Sequence, residues 1–269
     1  MSNSHSIAPS RRAILQGAAA VALSPVIANA EIKTAETGPR AGDRVFLTNE
    51  DSNTLSVIDP VTDELLPTVN LTSFDEDSRP PFRFVTGNVT PTHGEMVQKP
   101  LYHGAISIHG CVPSPDSSMF ATAGRGTSNL YLVDTAKLKV IGNQPNPQAG
   151  TTTSPDILTS GILVGREPHE PTFTRNGKEV WVALRGESKI AVIDVQRAIA
   201  ESAGELTRGS AIRRFMPVLP GPAMVWFSAG GETAFLISQK LPRIEVYNVK
   251  YDAQGFSTTE RKAMIDTTA

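Results

Sequence analysis

The chain has 269 residues, of which 39% are hydrophobic, 19% charged and 6% aromatic, so it can bury a core and is neither disordered nor fibrous. Its 25 basic and 27 acidic side chains give a formal net charge of -2, which excludes a broadly basic surface for binding nucleic acid. The single cysteine, Cys111, excludes an internal disulfide, and no uninterrupted apolar run reaches the roughly eighteen residues of a membrane span.

The start of the chain has the features of an export signal. The pair Arg11-Arg12 is followed by an alanine-rich apolar run and by Ala28–Ala30, a small-x-small site of the kind that signal peptidase accepts. This order resembles a twin-arginine signal, and the alternative interpretation is a buried or interfacial helix. We therefore predict a leader at 1–30, a linker at 31–43 and a mature protein that is periplasmic or secreted.

One strand pattern is repeated four times in the rest of the chain. Each copy alternates apolar and polar residues and ends in Asp or Asn: Thr54–Asp59, Asn129–Asp134, Lys189–Asp194 and Arg243–Asn248. A strand precedes each copy after a polar loop, a further strand follows it, and three copies have an additional first strand that ends in a tight turn. Four strands per repeated unit are typical of a β-propeller. Asp59, Asp134 and Asp194 are expected to be turn residues rather than catalytic carboxylates.

These units resemble the YVTN family of β-propeller repeats. Phe46–Asn49 followed by Val57–Asp59 is the copy most similar to the family pattern. The resemblance extends from Arg44 to the end of the sequence. It implies an all-β propeller of four-stranded antiparallel blades over 44–269, in a family whose members are mostly uncharacterised exported binding or surface proteins.

The repeats are spaced more widely than the about 40 to 45 residues of a plain blade. We therefore predict inserted loops at 72–102 and 143–167 and a short helical turn within 196–209. Only about four blades fit, which favours a C-terminally incomplete seven-bladed ring; a genuine small propeller and a ring closed by a second copy of the chain are the alternatives. Trp181 and Trp226 are expected to pack between blades.

Two histidines occupy equivalent positions in this repeat. Alignment of the tight turns superimposes His109 on His169, with Ala223 at the same position of the next copy. Because the first strand of each blade lines the central channel of a propeller, both imidazoles are expected near one mouth of the channel. Arg125 and Arg185 each stand nine residues before the turn aspartate of their copy, so they are expected in matching loops on the same rim.

Two kinds of ligand fit such a cluster. Imidazoles of His93, His103, His109 and His169, with the carboxylate of Glu170, suit a transition metal or a haem-like iron, although their spacing matches no compact metal motif. The two arginines suit a small anionic ligand, because a guanidinium is a planar fork for carboxylate or phosphate. The alternative is that no ligand binds. In that case the histidines form hydrogen bonds with backbone groups, and the arginines are solvated or pair with acidic side chains.

The sequence favours a binding or scaffold protein that recognises an unidentified partner protein or small anion at the rim of the channel. An enzyme is the less favoured interpretation, because the sequence has no phosphate-binding glycine loop, Ser-x-x-Lys motif or dinucleotide fingerprint. The alternative class is a periplasmic redox or cofactor-handling protein, since propellers with a similar repeat pattern hold haem or quinone cofactors at this mouth. A bound transition metal is therefore compatible with the sequence, but no feature of the sequence requires one. Covalent c-type haem is excluded, because the sequence lacks a Cys-x-x-Cys-His motif.

Overall fold

The structure is a computed structural model that describes residues 38–50, 54–71, 107–126, 128–142, 144–145, 157–158 and 161–268. The predicted leader at 1–30 and the predicted insertion at 72–102 lie outside the described residues. In the described part of the chain, no helix combines the length and the apolar character needed to span a membrane.

Four consecutive antiparallel sheets, named blades 1 to 4 in chain order, contain most of the strands. Blade 1 consists of β1 (Val45–Asn49), β2 (Thr54–Asp59) and β3 (Glu64–Asn70). Blade 2 begins with β4 (Ile108–Pro113), β5 (Met119–Gly124), β6 (Asn129–Asp134) and β7 (Lys139–Val140). The next strands, β8 (Gln144–Pro145) and β9 (Ile157–Leu158), pair with each other, and β10 (Ile162–Leu163) belongs again to blade 2.

Blades 3 and 4 each have four strands in chain order across the sheet. Blade 3 consists of β11 (Pro168–Phe173), β12 (Glu179–Leu184), β13 (Lys189–Asp194) and β14 (Ile212–Pro217). Blade 4 consists of β15 (Pro222–Phe227), β16 (Thr233–Ser238), β17 (Arg243–Tyr251) and β18 (Ser257–Asp266). The helix α1 (Val195–Ser202) connects β13 to β14, where the sequence predicts a helical turn.

The turn chemistry expected from the sequence is present in the structure. In blades 2, 3 and 4, the tight turn between the first two strands closes with a backbone hydrogen bond of 2.9 to 3.0 Å, as from Gly177 N–H to the carbonyl of Thr174. The carboxylates of Asp59 and Asp134 accept backbone N–H groups two residues on. Asp194 instead accepts the N–H of Arg197 and thereby caps the N-terminus of α1. All three aspartates therefore stabilise turns or a helix end, as predicted.

The hydrophobic core is divided into three clusters, each between two consecutive blades. The first strands of successive blades are neighbours, since β11 lies beside both β4 and β15. Side-chain hydroxyls also join adjacent blades at these strands: Thr48 Oγ1 donates to the carbonyl of His109 at 2.5 Å, and Thr172 Oγ1 donates to that of Val225 at 2.8 Å. Sheets that pack face to face around adjacent first strands form a β-propeller arrangement, which confirms the predicted all-β fold class.

Two features differ from a regular repeat. The outer edge of blade 2 is made of two short strands, because β7 pairs with one end of β6 and β10 pairs with the other end. Residues 162–163, which lie within the predicted insertion 143–167, thus complete a blade. Trp181 is fully buried between blades 3 and 4, but Trp226 is 55% exposed. The prediction that Trp226 packs between blades is therefore wrong within the described residues.

Candidate functional site

At one rim of the propeller, a strand ends at the same repeat position in each of the four blades. Four strands end at this rim: β1, β5, β12 and β16. The residue that follows each strand is nine positions before the Asp or Asn that ends the next strand of the same repeat. We call these four the rim residues: Glu50, Arg125, Arg185 and Gln239. Sequence reasoning identified only the two arginines. The same nine-residue spacing, applied to all four copies, would have found Glu50 and Gln239.

The backbone of three rim residues, in blades 2, 3 and 4, is fixed by hydrogen bonds to the residue just before the first strand. The N–H groups of Arg125 and Arg185 donate to the carbonyls of Ser107 and Glu167 at 3.0 Å, and the N–H of Gln239 donates to that of Gly221 at 2.8 Å. These three acceptors have φ values of 54°, 51° and 67°. A left-handed residue at this place turns the chain so that the next residues enter the first strand.

An ion-pair network joins blades 1 and 2 at the rim. The carboxylate of Glu50 accepts Ser107 Oγ at 2.7 Å and pairs with Arg125 Nη1 at 3.0 Å and His109 Nδ1 at 3.4 Å. Burial alone would raise the pKa of Glu50, but the hydrogen bonds from His109 and Ser107 and the charge of Arg125 outweigh it and lower that pKa from 4.5 to about 2. Glu50 is therefore ionised near neutral pH and holds the imidazole of His109 by its Nδ1 atom.

A second network joins blades 3 and 4. Arg185 Nε pairs with Glu167 at 3.1 Å, and Arg185 Nη1 donates to Gln239 Oε1 at 3.3 Å. Because Oε1 is thereby the acceptor, the amide Nε2 of Gln239 faces His169 Nε2 at 3.3 Å as a donor. This orientation makes Nε2 the acceptor and places the ring proton of neutral His169 on Nδ1.

The two predicted histidines meet where blades 2 and 3 adjoin. The ring centroids of His109 and His169 are 4.3 Å apart, and the rings are inclined by 64°. Burial of His169, followed by the positive charges of His109, Arg125 and Arg185, lowers its pKa from 6.5 to about 4. His169 is therefore neutral at physiological pH, and it lies in a locally positive environment.

Glu170 and Cys111 lie beside this pair of histidines. Burial raises the pKa of the Glu170 carboxyl, and the charge of His109 opposes that shift. Burial also raises the pKa of the Cys111 thiol, and the neighbouring Glu170 adds to the increase. A thiol with a raised pKa is a weak nucleophile at neutral pH, so the structure favours a packing role for Cys111.

Gly110 permits the close approach of β4 and β11 that brings the histidines together. A Cβ atom on Gly110 would lie 2.5 Å from Glu170 Cγ and 3.0 Å from the carbonyl oxygen of His169. Gly110→Ala should therefore force the two strands apart and lower the free energy of unfolding by about 1 to 3 kcal/mol, measured by urea denaturation. Adding Glu170→Ala removes the nearer clash and should restore part of the loss. A Gly110→Ala protein as stable as the parent chain would contradict this packing.

Two clefts lie at the opposite rim of the blades. A cleft of about 790 Å³ between blades 1 and 2 and one of about 450 Å³ between blades 2 and 3 are both lined by the tight turns. In the smaller cleft, Arg175 donates to the carbonyls of Phe227 and Ser228, and Lys178 donates to that of Gln254. These basic groups already stabilise the contact with blade 4, so the histidine rim is the better candidate for a ligand site.

The metal-binding interpretation stays a prediction. It needs His93 and His103 beside His109 and His169, and His93 and His103 lie outside the described residues. Among the residues that the structure describes, no group of three or more His, Cys, Asp or Glu side chains is placed to hold a metal ion.

Comparison with family models and with curated proteins finds no match. Among solved structures, the chain is similar to hydrazine synthase from Kuenenia stuttgartiensis, with 18% identity over 88% of this chain and 52% of that chain and a TM-score of 0.49. It is also similar to the dihydro-haem d1 dehydrogenase NirN, with 12% identity over 86% of this chain and 38% of that one and a TM-score of 0.49.

A third similar structure is a protein from Lactobacillus plantarum, with 17% identity over 86% of this chain and 56% of that chain and a TM-score of 0.49. The chain thus spans about 38% to 56% of the length of these three proteins. What the described residues themselves establish is an all-β propeller arrangement of blades, in which four equivalent positions form one rim.

Proposed function

We propose that this chain is an exported β-propeller of the YVTN type that binds a small anion, a carboxylate or a phosphate, at the rim between blades 2 and 3. The observation that carries this proposal is the edge-to-face pair of His109 and His169, which lies within electrostatic reach of both Arg125 and Arg185. Arginine and imidazolium groups are the usual partners of carboxylate and phosphate oxygens in proteins. The leader predicted at 1–30 supports export.

The protonation states of the histidines define how such a ligand would be held. When His109 is protonated, its Nδ1 atom donates to Glu50 and its Nε2 atom is available as a second donor. His169 is kept neutral by burial and by the surrounding positive charges. A bound anion would offset those charges and raise the pKa of His169. Anion binding and proton uptake should therefore support each other.

Calorimetric titration with inorganic phosphate and with succinate, at pH 5.5 and 7.5, tests the proposal. We expect saturable binding of at least one anion that is tighter at pH 5.5. Arg185→Gln should weaken it about tenfold or more, because a charge-assisted hydrogen bond contributes roughly 1.5 to 3 kcal/mol. Arg243→Gln is the matched control, since Arg243 pairs with Asp266 on blade 4.

The control should bind the anion as the parent chain does. The proposal is wrong if neither anion binds saturably, if binding weakens as the pH falls, or if both arginine variants lose affinity equally.

A further inference from the structure

The first strands of blades 2 and 3 each contain a β-bulge at the position of the histidine. The pairing of β4 with β5 shifts register between residues 108 and 111, and the pairing of β11 with β12 shifts register between residues 168 and 171. A bulge re-aims the side chains that it contains, and bulges are frequent beside ligand sites. Here the bulges bring two residues of each strand to the rim, where His109 meets His169 and Gly110 meets Glu170.

Glu170 is the acidic member of this group, and its carboxylate lacks a partner. In the part of the chain that the structure describes, the Glu170 side chain makes no hydrogen bond or ion pair, although the charge of His109 acts on it. Burial raises its pKa, as expected for a carboxylate that is removed from water without a donor. A half-buried carboxylate in this state is destabilised, so it favours the approach of a cationic group.

The two arginines of the rim, in contrast, already have carboxylate partners. Arg125 Nη1 pairs with Glu50 at 3.0 Å, and Arg185 Nε pairs with Glu167 at 3.1 Å. A ligand with negative charge alone would share these arginines with two carboxylates and would leave Glu170 beside it without a counter-charge. A ligand that carries a positive group next to its carboxylate complements both the arginines and Glu170.

We infer that the ligand of the rim site is a small zwitterion of the amino-acid type, whose carboxylate lies by the arginines and whose ammonium group is held by Glu170. This inference rests on the proposed anion site and names the class of ligand that the site takes. Hydrogen bonds between an ammonium and a carboxylate are charge-assisted and are therefore among the strong ones. Glu170 thus determines specificity, and the arginines and histidines hold the carboxylate end.

Three diacids with the same four-carbon skeleton test the inference: succinate, malate and aspartate. They differ in whether the second carbon carries only hydrogen, a hydroxyl group or an ammonium group. In calorimetric titrations of the parent chain at pH 7.5, we expect aspartate to bind at least about tenfold more tightly than succinate, because it alone forms the charge-assisted contact. Malate offers a neutral donor and should have an intermediate affinity.

Glu170→Gln removes the charge and keeps the size of the side chain. In this variant, aspartate should lose its advantage of about tenfold over succinate. Succinate should bind at least as tightly as it binds to the parent chain, because a negative charge beside the anion has been removed. Glu205→Gln is the matched control, since Glu205 is an exposed acid between α1 and β14, and it should bind both ligands as the parent chain does.

The inference and the proposed function fail in different ways. If succinate binds saturably but aspartate binds no more tightly, or if malate binds as tightly as aspartate, the zwitterion inference is wrong and the anion site stands. If Glu170→Gln weakens both ligands equally, Glu170 has only a structural role and the inference is again wrong. If neither succinate nor aspartate binds, both the inference and a carboxylate site at this rim are wrong.

Discussion

Trp181→Ala is expected to lower the free energy of unfolding by about 3 to 5 kcal/mol. Trp181 is 0% exposed and fills the core between blades 3 and 4, where its ring meets that of Phe227 edge-on at a centroid distance of 4.9 Å. Removing the indole leaves a cavity between two sheets whose backbones are fixed by their ladders, so the cavity cannot easily collapse. Urea denaturation followed by circular dichroism measures the loss without depending on tryptophan fluorescence.

Trp226→Ala is the matched control for this prediction. Trp226 lies on the first strand of blade 4 and is largely exposed, so its removal should change the free energy of unfolding by less than about 1 kcal/mol. Equal losses for the two variants would show that the blade 3 to blade 4 core is not packed as described.

Acidification from pH 6.5 to 4 should cost about 3 kcal/mol of stability through His169 alone. The pKa of His169 is about 4 in the folded chain, against an ordinary value of 6.5. Between these values the unfolded chain binds a proton at this histidine and the folded chain does not. Proton binding therefore favours the unfolded state, so the His169 contribution is complete above pH 6.5 and is lost as the pH falls to 4.

Comparison with His169→Ala isolates this effect from the other titrating groups. Ala223 occupies the equivalent position of blade 4, so the repeat accommodates alanine there. The stability of the variant should depend less steeply on pH between 6.5 and 4. Glu50, with a pKa of about 2 against 4.5, adds stability that is lost only between pH 4.5 and 2, which is a separate range. An unchanged slope in His169→Ala would contradict the lowered pKa.

The strands were predictable because each has a strong local pattern. The alternation of apolar residues fixes which side chains face the core, and Asp or Asn followed by turn residues marks where the strand ends. The bounds of β1, β2, β6 and β13 therefore agree with the sequence pattern residue by residue. The divided outer edge of blade 2 was not predictable in this way. A two-residue strand such as β10 carries too short a pattern to be distinguished from a loop.

The candidate site was only partly predictable for a related reason. The equivalence of His109 and His169 follows from the repeat, and the structure places their rings side by side. The contacts of Glu50 and Gln239 depend on which blade each rim residue adjoins, and sequence spacing alone does not specify that. Trp226 shows the opposite limit: its residue type indicates burial, but its side chain is largely exposed among the described residues.

The backbone hydrogen bonds at the rim separate the identity of each rim side chain from the integrity of its blade. Arg125, Arg185 and Gln239 are held through their main-chain N–H groups, so the fold accepts either a base or an amide at this position. Duplication of such a unit followed by divergence at one codon would alter recognition while leaving folding intact. An engineer could use the same freedom to reprogram selectivity, changing these positions in combination on a constant scaffold.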